Sequence, residues 1–136
     1  MANFVYTKAK EAILNGEINF SANNFKLLFA NSSYSPNQNL HKFVSDIGSS
    51  SIVYRSNSIS NISNVNGVID ADDVTFTIEA NTSFNSIILF QDEGSDQQSL
   101  LIMYIDTASG LPYQGSSTSV SSTIVWSNLS GKILSI

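Results

Sequence analysis

The chain contains no cysteine, and charged residues make up only 12% of its 136 residues. The absence of thiols excludes a disulfide framework, a thiolate metal site and a cysteine nucleophile. With a single histidine, His41, a metal site built from several imidazoles is excluded, and a Ser-His-Asp triad would depend on that one residue. We therefore expect His41 to be an ordinary helix residue, and we expect no enzymatic activity and no cofactor.

Positive charge is scarce as well. The six basic residues are spread along the chain, and the net charge is −5. Nucleic-acid binding rests mainly on clustered cations, so a nucleic-acid partner is not expected. No apolar run approaches the roughly 18 residues of a membrane span, and the first residues lack the pattern of an export signal. We expect no membrane partner, and synthesis in a cytoplasm without export.

Serine and asparagine take the place of charge, and together they outnumber the charged residues by more than two to one. They crowd residues 55–64 and 115–123, and such a surface forms many weak hydrogen bonds but little long-range field. Hydrophobic residues still make up 42% of the chain, too many for a disordered protein. The length predicts one domain over residues 1–136 with a core of its own.

Two segments have helical periodicity. An amphipathic helix is predicted over residues 7–15, with Thr7 as the N-cap and Gly16 just past the end, because Ala9, Ala12 and Ile13, with the flanking Val5 and Tyr6, recur at spacings of three and four. A second short helix is predicted over residues 39–47, capped by Asn39 and stopped by Gly48. Its apolar residues fall at i, i+3, i+4 and i+7, namely Leu40, Phe43, Val44 and Ile47.

The remaining pattern predicts strands. Residues 24–30 alternate as in a strand buried on both faces. Seven further β-branched or aromatic runs follow, at residues 52–54, 68–69, 74–78, 86–91, 100–106, 123–126 and 132–136. We predict an all-β fold, mainly an antiparallel β-sandwich or barrel-like sheet, with a short N-terminal helix and a second short helix. The apolar chain end requires a strand pairing or a neighbouring protein to hold it.

Carboxylates form two clusters. Asp70, Asp72 and Asp73 offer the oxygen ligands that Ca²⁺ prefers, but a strand follows where an EF-hand loop would continue, so a structural turn or strand cap is the favoured interpretation. Residues 92–96 are predicted to be a hairpin loop with Gly94 in a positive-φ conformation. A glycosidase-like pair of Asp92 or Glu93 with Asp106 depends on a separation that the sequence leaves open.

Aromatic residues offer one further kind of site, a stacking platform for carbohydrate. Its candidates are Tyr54, Tyr104, Tyr113 and Trp126. Tyr104 and Trp126 lie in apolar strand runs, where core packing is the ordinary role. Tyr113, which follows Gly110-Leu-Pro112, is the aromatic residue that we expect near the surface.

Several motifs occur in an order that resembles a family of small virion proteins of tailed bacteriophages. They are the opening helix at residues 6–16, the Tyr-Ser-Pro-Asn turn at 34–37, Phe-Val-Ser-Asp-Ile at 43–47, Asp-Ala-Asp-Asp-Val-Thr-Phe at 70–76, Leu-Ile-Met-Tyr-Ile-Asp at 101–106 with Gly-Leu-Pro at 110–112, and Ile-Val-Trp-Ser-Asn-Leu-Ser-Gly-Lys-Ile-Leu at 124–134. The serine-rich segment at residues 49–66 departs from the pattern.

The resemblance implies a structural component of the virion, made in the bacterial host cytoplasm. Within the particle we expect a capsid decoration or cement protein that binds the outside of the assembled head and stabilises contacts between major capsid subunits. Its partners would be the major capsid protein, other copies of itself in a homo-oligomer or symmetric array, or both. The alternative is a tail, baseplate or receptor-binding β-domain that recognises host glycan.

The partner contacts are predicted at the apolar chain ends, within the segment of residues 48–66, and at the exposed aromatic. The residues are Phe4, Val5, Tyr6, Ile52, Val53, Tyr54, Ile59, Ile62, Tyr113, Ile133, Leu134 and Ile136.

Overall fold

The computed structural model of the chain describes residues 3–21 and 24–124 and the strand Leu134–Ser135. Its elements in chain order are β1 (Phe4–Val5), α1 (Thr7–Leu14), β2 (Phe25–Ala30), β3 (Ile52–Arg55), β4 (Ser63–Val65), β5 (Val68–Asp70), β6 (Val74–Ile78), β7 (Ser86–Gln91), β8 (Leu100–Ile105), β9 (Val120–Ile124) and β10 (Leu134–Ser135). All strand pairs are antiparallel, so the predicted all-β fold with a short N-terminal helix is confirmed.

The central element is a five-stranded sheet in the order β1-β8-β7-β2-β3. In β2, Phe25, Leu27 and Phe29 point to one face, while Leu28 and Ala30 point to the other. All five are buried, which confirms the expectation that both faces of this strand are covered. Within the sheet, β2 lies between β7 and β3.

Two smaller sheets cover the first face. One has the order β10-β5-β4, and the other is the ribbon β6-β9. Phe76 of β6 packs edge-on against Phe29 at a ring distance of 4.7 Å, and Ile69 of β5 is buried in the same core. Because β10 pairs with β5, strand pairing holds the chain near its apolar end.

Helix α1 lies on the opposite face, against β8. Its buried residues are Ala9 and Ala12, whose short side chains let the helix axis approach the sheet closely. Tyr6, not Thr7, is the N-cap, and no side chain caps the helix. The Thr7 hydroxyl instead donates to the Asn39 side chain at 2.8 Å, so the predicted cap was wrong and the residue ties the helix to the loop after β2.

The predicted second helix over residues 39–47 was also wrong, since only one 3₁₀ turn forms there, Val44–Asp46. The N–H groups of Val44 and Ser45, which an α-helix would bond to the carbonyls of residues 40 and 41, donate instead to the carbonyls of Ser99 and Asp96. Asn37 accepts from the N–H of Leu40, and the Asp46 carboxylate accepts from the N–H groups of Lys42 and Phe43. Leu40 is 70% exposed, so the apolar periodicity was not a buried helical face.

Candidate interaction surface

Strand β3 forms one edge of the five-stranded sheet. Its residues Ile52, Val53 and Tyr54 are half-buried. The Tyr54 ring packs edge-on against Phe29 at 5.3 Å, which anchors the strand to the core. The outer side of β3 pairs with no other strand among the described residues. This edge therefore offers backbone hydrogen-bonding groups beside a row of apolar side chains.

The backbone of Arg55 points outward from this edge. Ser56 donates its N–H to the Leu27 carbonyl at 2.8 Å. The residues whose backbone N–H and C=O groups face β2 are therefore Ser56 and, two positions earlier, Tyr54. Because bonded and non-bonded pairs alternate along an antiparallel ladder, the N–H and C=O of Arg55, which lies opposite Leu28, face away from the sheet. Residues 52 and 53 lie at a bulge, where the register shifts between Phe29 and Ala30.

The charge of Arg55 is satisfied within the chain. Its guanidinium donates two parallel hydrogen bonds to the Asp96 carboxylate, at 2.7 and 2.9 Å. This fork holds the pKa of Asp96 below its usual range. The Arg55 guanidinium is thus directed toward the loop between β7 and β8 and away from the edge. The other residues of β3, Ile52 to Tyr54, are uncharged.

The same loop makes a second ion pair. Lys26 lies 2.8 Å from the Asp92 carboxylate, and this contact, with the Gly94 N–H as a further donor, lowers the pKa of Asp92. Gly94 has a φ of 95°, so the predicted hairpin with glycine in a positive-φ conformation is confirmed. Asp92 and Asp96 of this loop are thus tied to the sheet at Lys26 and Arg55.

Strand β1, at the other edge of the sheet, differs from β3 in the side-chain contacts made to its backbone. It has two residues, and the Gln38 side chain donates to the Val5 carbonyl at 3.4 Å. The Asn3 side chain accepts from the backbone N–H groups of Asp106 and Thr107. The Phe4 ring stacks on Tyr104 at 5.0 Å. Side chains from elsewhere in the chain therefore engage this edge.

Beneath β1 lies a chain of hydroxyl groups. The Tyr6 and Tyr34 hydroxyls are 2.8 Å apart, and the Tyr34 hydroxyl is 2.9 Å from His41 Nδ1. Since the Asn37 N–H also donates to Nδ1, this nitrogen is an acceptor and the Tyr34 hydroxyl donates to it. Burial raises the pKa of Tyr6 and raises that of Tyr34 to about 12. His41 thus fixes this loop to the core, although not on the predicted helix.

The predicted contact residues fall into three groups. Tyr6 and Ile59 are buried, so their side chains are enclosed by the fold. Phe4, Val5, Ile62 and Tyr113 are half-buried, as are the three β3 residues. Leu134 lies in β10, an edge strand, while Ile133 and Ile136 lie outside the described residues. The structure thus places the segments 4–5 and 52–54, and also Leu134, on strands at the edges of sheets.

A groove of about 440 Å³ opens between the β6-β9 ribbon and the end of β8. Its wall includes Phe76, Phe84, Ile87, Ile105 and Tyr113. The lining also includes the polar residues Ser109 and Ser122, while the Thr123 hydroxyl lies 3.3 Å from that of Thr75 on the other face of the ribbon. Tyr113 stacks on Phe84 at 5.0 Å and is half-buried, while Trp126 lies outside the described residues.

The carboxylate clusters are separated in space. Asp92 lies at the Leu100 end of β8 and Asp106 follows its other end, so they are on the order of 17 Å apart, beyond the spacing of a glycosidase pair. Asp72, in the turn between β5 and β6, accepts a hydrogen bond from the Asn61 side chain. Within residues 3–21 and 24–124, no three acidic or imidazole groups converge as a metal-ligand set.

Sequence reasoning missed the residues that distinguish the two edges, namely Lys26, Gln38 and Asp96. Arg55 and Asp96 are 41 positions apart, and Gln38 lies 33 positions from Val5, so no local pattern signals these contacts.

None of the helices in the described residues has the length and apolar character needed to cross a membrane. Comparisons of the chain with protein-family models, curated proteins and solved structures found no match.

Proposed function

We propose that this protein is a structural component of a tailed-phage particle, a decoration or cement protein that binds the outside of the assembled head. The observation that carries the proposal is the open edge strand β3, with three half-buried apolar residues and no unpaired charge. Such an edge bonds to another polypeptide through backbone groups, which needs no reactive side chain and no cofactor. The order of motifs, which resembles that of small virion proteins of tailed phages, supports the same proposal.

The mechanism is adhesion. A protein that binds the assembled shell but not its separate subunits stabilises the shell by mass action, in proportion to the logarithm of its free concentration over its dissociation constant. Weak contacts are enough to stabilise the shell because every bound copy contributes its own contacts. A serine- and asparagine-rich surface suits this role, since neutral hydrogen-bonding groups lose less to salt screening than charges do.

Two measurements test the proposal: the copy number of the protein in virions, and the stability of heads to which purified protein has been added back. Quantitative mass spectrometry of purified virions is expected to give hundreds of copies per particle. Heads prepared without the protein are expected to release DNA at a lower temperature, and purified protein added back is expected to restore the release temperature. Absence from mature particles would refute the proposal, as would an add-back that leaves the release temperature unchanged.

The groove beside Tyr113 favours a second candidate, a tail or baseplate domain that binds host glycan. Sugars stack their apolar face on aromatic rings and exchange hydrogen bonds with hydroxyls, and both kinds of group line this groove. Binding to a glycan array that is lost in Tyr113→Ala, together with only a few copies per virion, would support this candidate over the first.

A further inference from the structure

We infer that β3 is a self-pairing edge, to which a second copy of this chain adds its own β3 antiparallel across a two-fold axis. The inference deepens the proposed function, on which it rests, by naming the partner of this edge. Two five-stranded sheets would then join into one continuous antiparallel sheet of ten strands.

The first argument is the backbone. The N–H and C=O of Arg55 face outward, and the outer side of β3 has no strand partner in the part of the chain that the structure describes. An extended segment satisfies such groups best, and antiparallel addition continues the pattern of every other pair in the sheet. The partner is therefore a strand.

The second argument is self-complementarity. When two copies are related by a two-fold axis normal to the sheet, opposing side chains lie on the same face only if odd-numbered residues oppose odd-numbered ones and even-numbered residues oppose even-numbered ones. The register that places Tyr54 opposite its own copy also places Val53 opposite Arg55 of the other strand. In that register the outward backbone groups of Arg55 lie opposite the bulged residue Val53 of the copy, and two aromatic rings meet at the axis.

The third argument is charge. A chain of net charge −5 would be repelled by its own copy if carboxylates faced each other at the interface. Here the edge carries Ile52, Val53 and Tyr54, and the one cation is forked to Asp96 of its own chain. Nothing at the edge selects a charged partner, and nothing repels an identical strand.

Strand β6 enlarges the contact. Its Phe76 ring lies 6.0 Å from Tyr54, and the outer side of β6 is likewise without a strand partner among the described residues. A second copy on the two-fold axis would bring the Tyr54 and Phe76 rings of both chains into one apolar cluster. Four residues of edge alone are a small interface, so the free dimer is expected to be weak and to gain strength where copies are crowded on a surface.

Sedimentation of the purified full chain across a range of concentrations tests the inference. The wild-type chain is expected to show a monomer–dimer equilibrium. In Val53→Lys a cation is placed opposite Arg55 of the other strand, so the dissociation constant is expected to rise about tenfold or more. Val5→Lys, the same change at a half-buried valine on the opposite edge, is the matched control and is expected to leave the constant unchanged.

Because the chain has no cysteine, a single introduced thiol reports one contact. In Tyr54→Cys the two thiols meet at a non-bonded pair with Cα atoms about 4.5 Å apart, within the range of a disulfide. We expect oxidation to give a disulfide-linked dimer at wild-type dimer concentrations, and Val5→Cys to stay largely monomeric. A chain that is monomeric at all concentrations, or equal cross-linking at positions 5 and 54, would overturn self-pairing.

The add-back experiment with intact heads separates this inference from the proposed function. If wild-type protein and Val53→Lys both restore head stability while neither dimerises, self-pairing is refuted and the decoration role stands. If the chain dimerises through β3 but does not bind heads, the decoration role is refuted and self-pairing stands.

Discussion

Strands β1 and β3 bound the same sheet, yet within the described part of the chain an outer carbonyl is engaged by a side chain at β1, where Gln38 donates to Val5, and not at β3. Around β1 the chain adds Asn3, a stacked pair of aromatic rings and a buried tyrosine pair. At β3 the side chains are anchored from below, by Phe29, while the edge itself is left open. Edges that are left open invite pairing, so the proposed self-pairing rests on this contrast between the two edges.

The largest effect is expected from Phe29→Ala, which removes the anchor of β3. The ring contacts Tyr54, Phe76 and Phe84, all at ring distances of 4.7 to 5.3 Å. Loss of a buried phenylalanine leaves a cavity and is expected to lower the free energy of unfolding by about 3–5 kcal/mol, measured by denaturant titration. Leu14→Ala, at a side chain that is 86% exposed, is the control and should change it by less than about 0.5 kcal/mol.

A smaller effect is expected beneath β1 from Tyr34→Phe. The change removes the hydroxyl that links Tyr6 to His41 and leaves the buried Tyr6 hydroxyl without this partner. The expected loss of unfolding free energy is about 1–3 kcal/mol. The double variant Tyr6→Phe with Tyr34→Phe should lose less than the sum of the single variants, because both members of the pair are then apolar. Strict additivity would show that the two hydroxyls are not coupled.

High pH should weaken the β1 side through the same tyrosines. The pKa of Tyr34 is raised to about 12, so the folded chain keeps a proton that the unfolded chain loses near pH 10. The stabilising contribution is therefore complete below about pH 10 and is lost as the pH rises toward 12. Thermal unfolding between about pH 8 and 12 should show this decline, and Tyr34→Phe should show a shallower one. An equal decline in both proteins would contradict the assignment.

The smallest effect is expected at the β3 side from Asp96→Asn. The pKa of Asp96 is lowered by the Arg55 fork, so its contribution is present above about pH 4 and is lost as the pH falls through the lowered pKa. The pair is partly exposed, and the expected loss at neutral pH is at most about 1 kcal/mol. Melting temperatures at pH 7 and pH 3 should differ less in the variant than in the wild-type chain, and a larger difference would contradict the prediction.

The sheet itself was predictable because its strands carry strong local patterns. The alternation in β2 and the β-branched and aromatic runs of β7 and β8 identify buried strands without knowledge of their partners. The pairing order was not predictable, since β2 pairs with β7 and with β3 across long polar segments. Hydrophobic periodicity reports which face is buried, not which strand lies alongside.

The errors have a common cause in tertiary contacts that local spacing does not report. The N–H groups of Val44 and Ser45 bond to the carbonyls of Ser99 and Asp96, far along the chain, and a 3₁₀ turn forms where apolar spacing predicted a helix. At the candidate surface, the apolar residues of β3 were identified as contacts, but Ile59, only a few positions further on, is buried. Apolar character alone does not distinguish the rim of a sheet from its core.

The pairing of Phe4 with Tyr104 has a consequence for how the chain reaches this fold. The sheet cannot be completed until β8 has left the ribosome, because β8 supplies the neighbour of both β1 and β7. Closing such long loops is slow compared with forming a helix or a hairpin, so folding on the millisecond-to-second scale is expected. During that interval the nascent chain exposes unpaired apolar strands, and its abundant serine and asparagine help to keep it in solution.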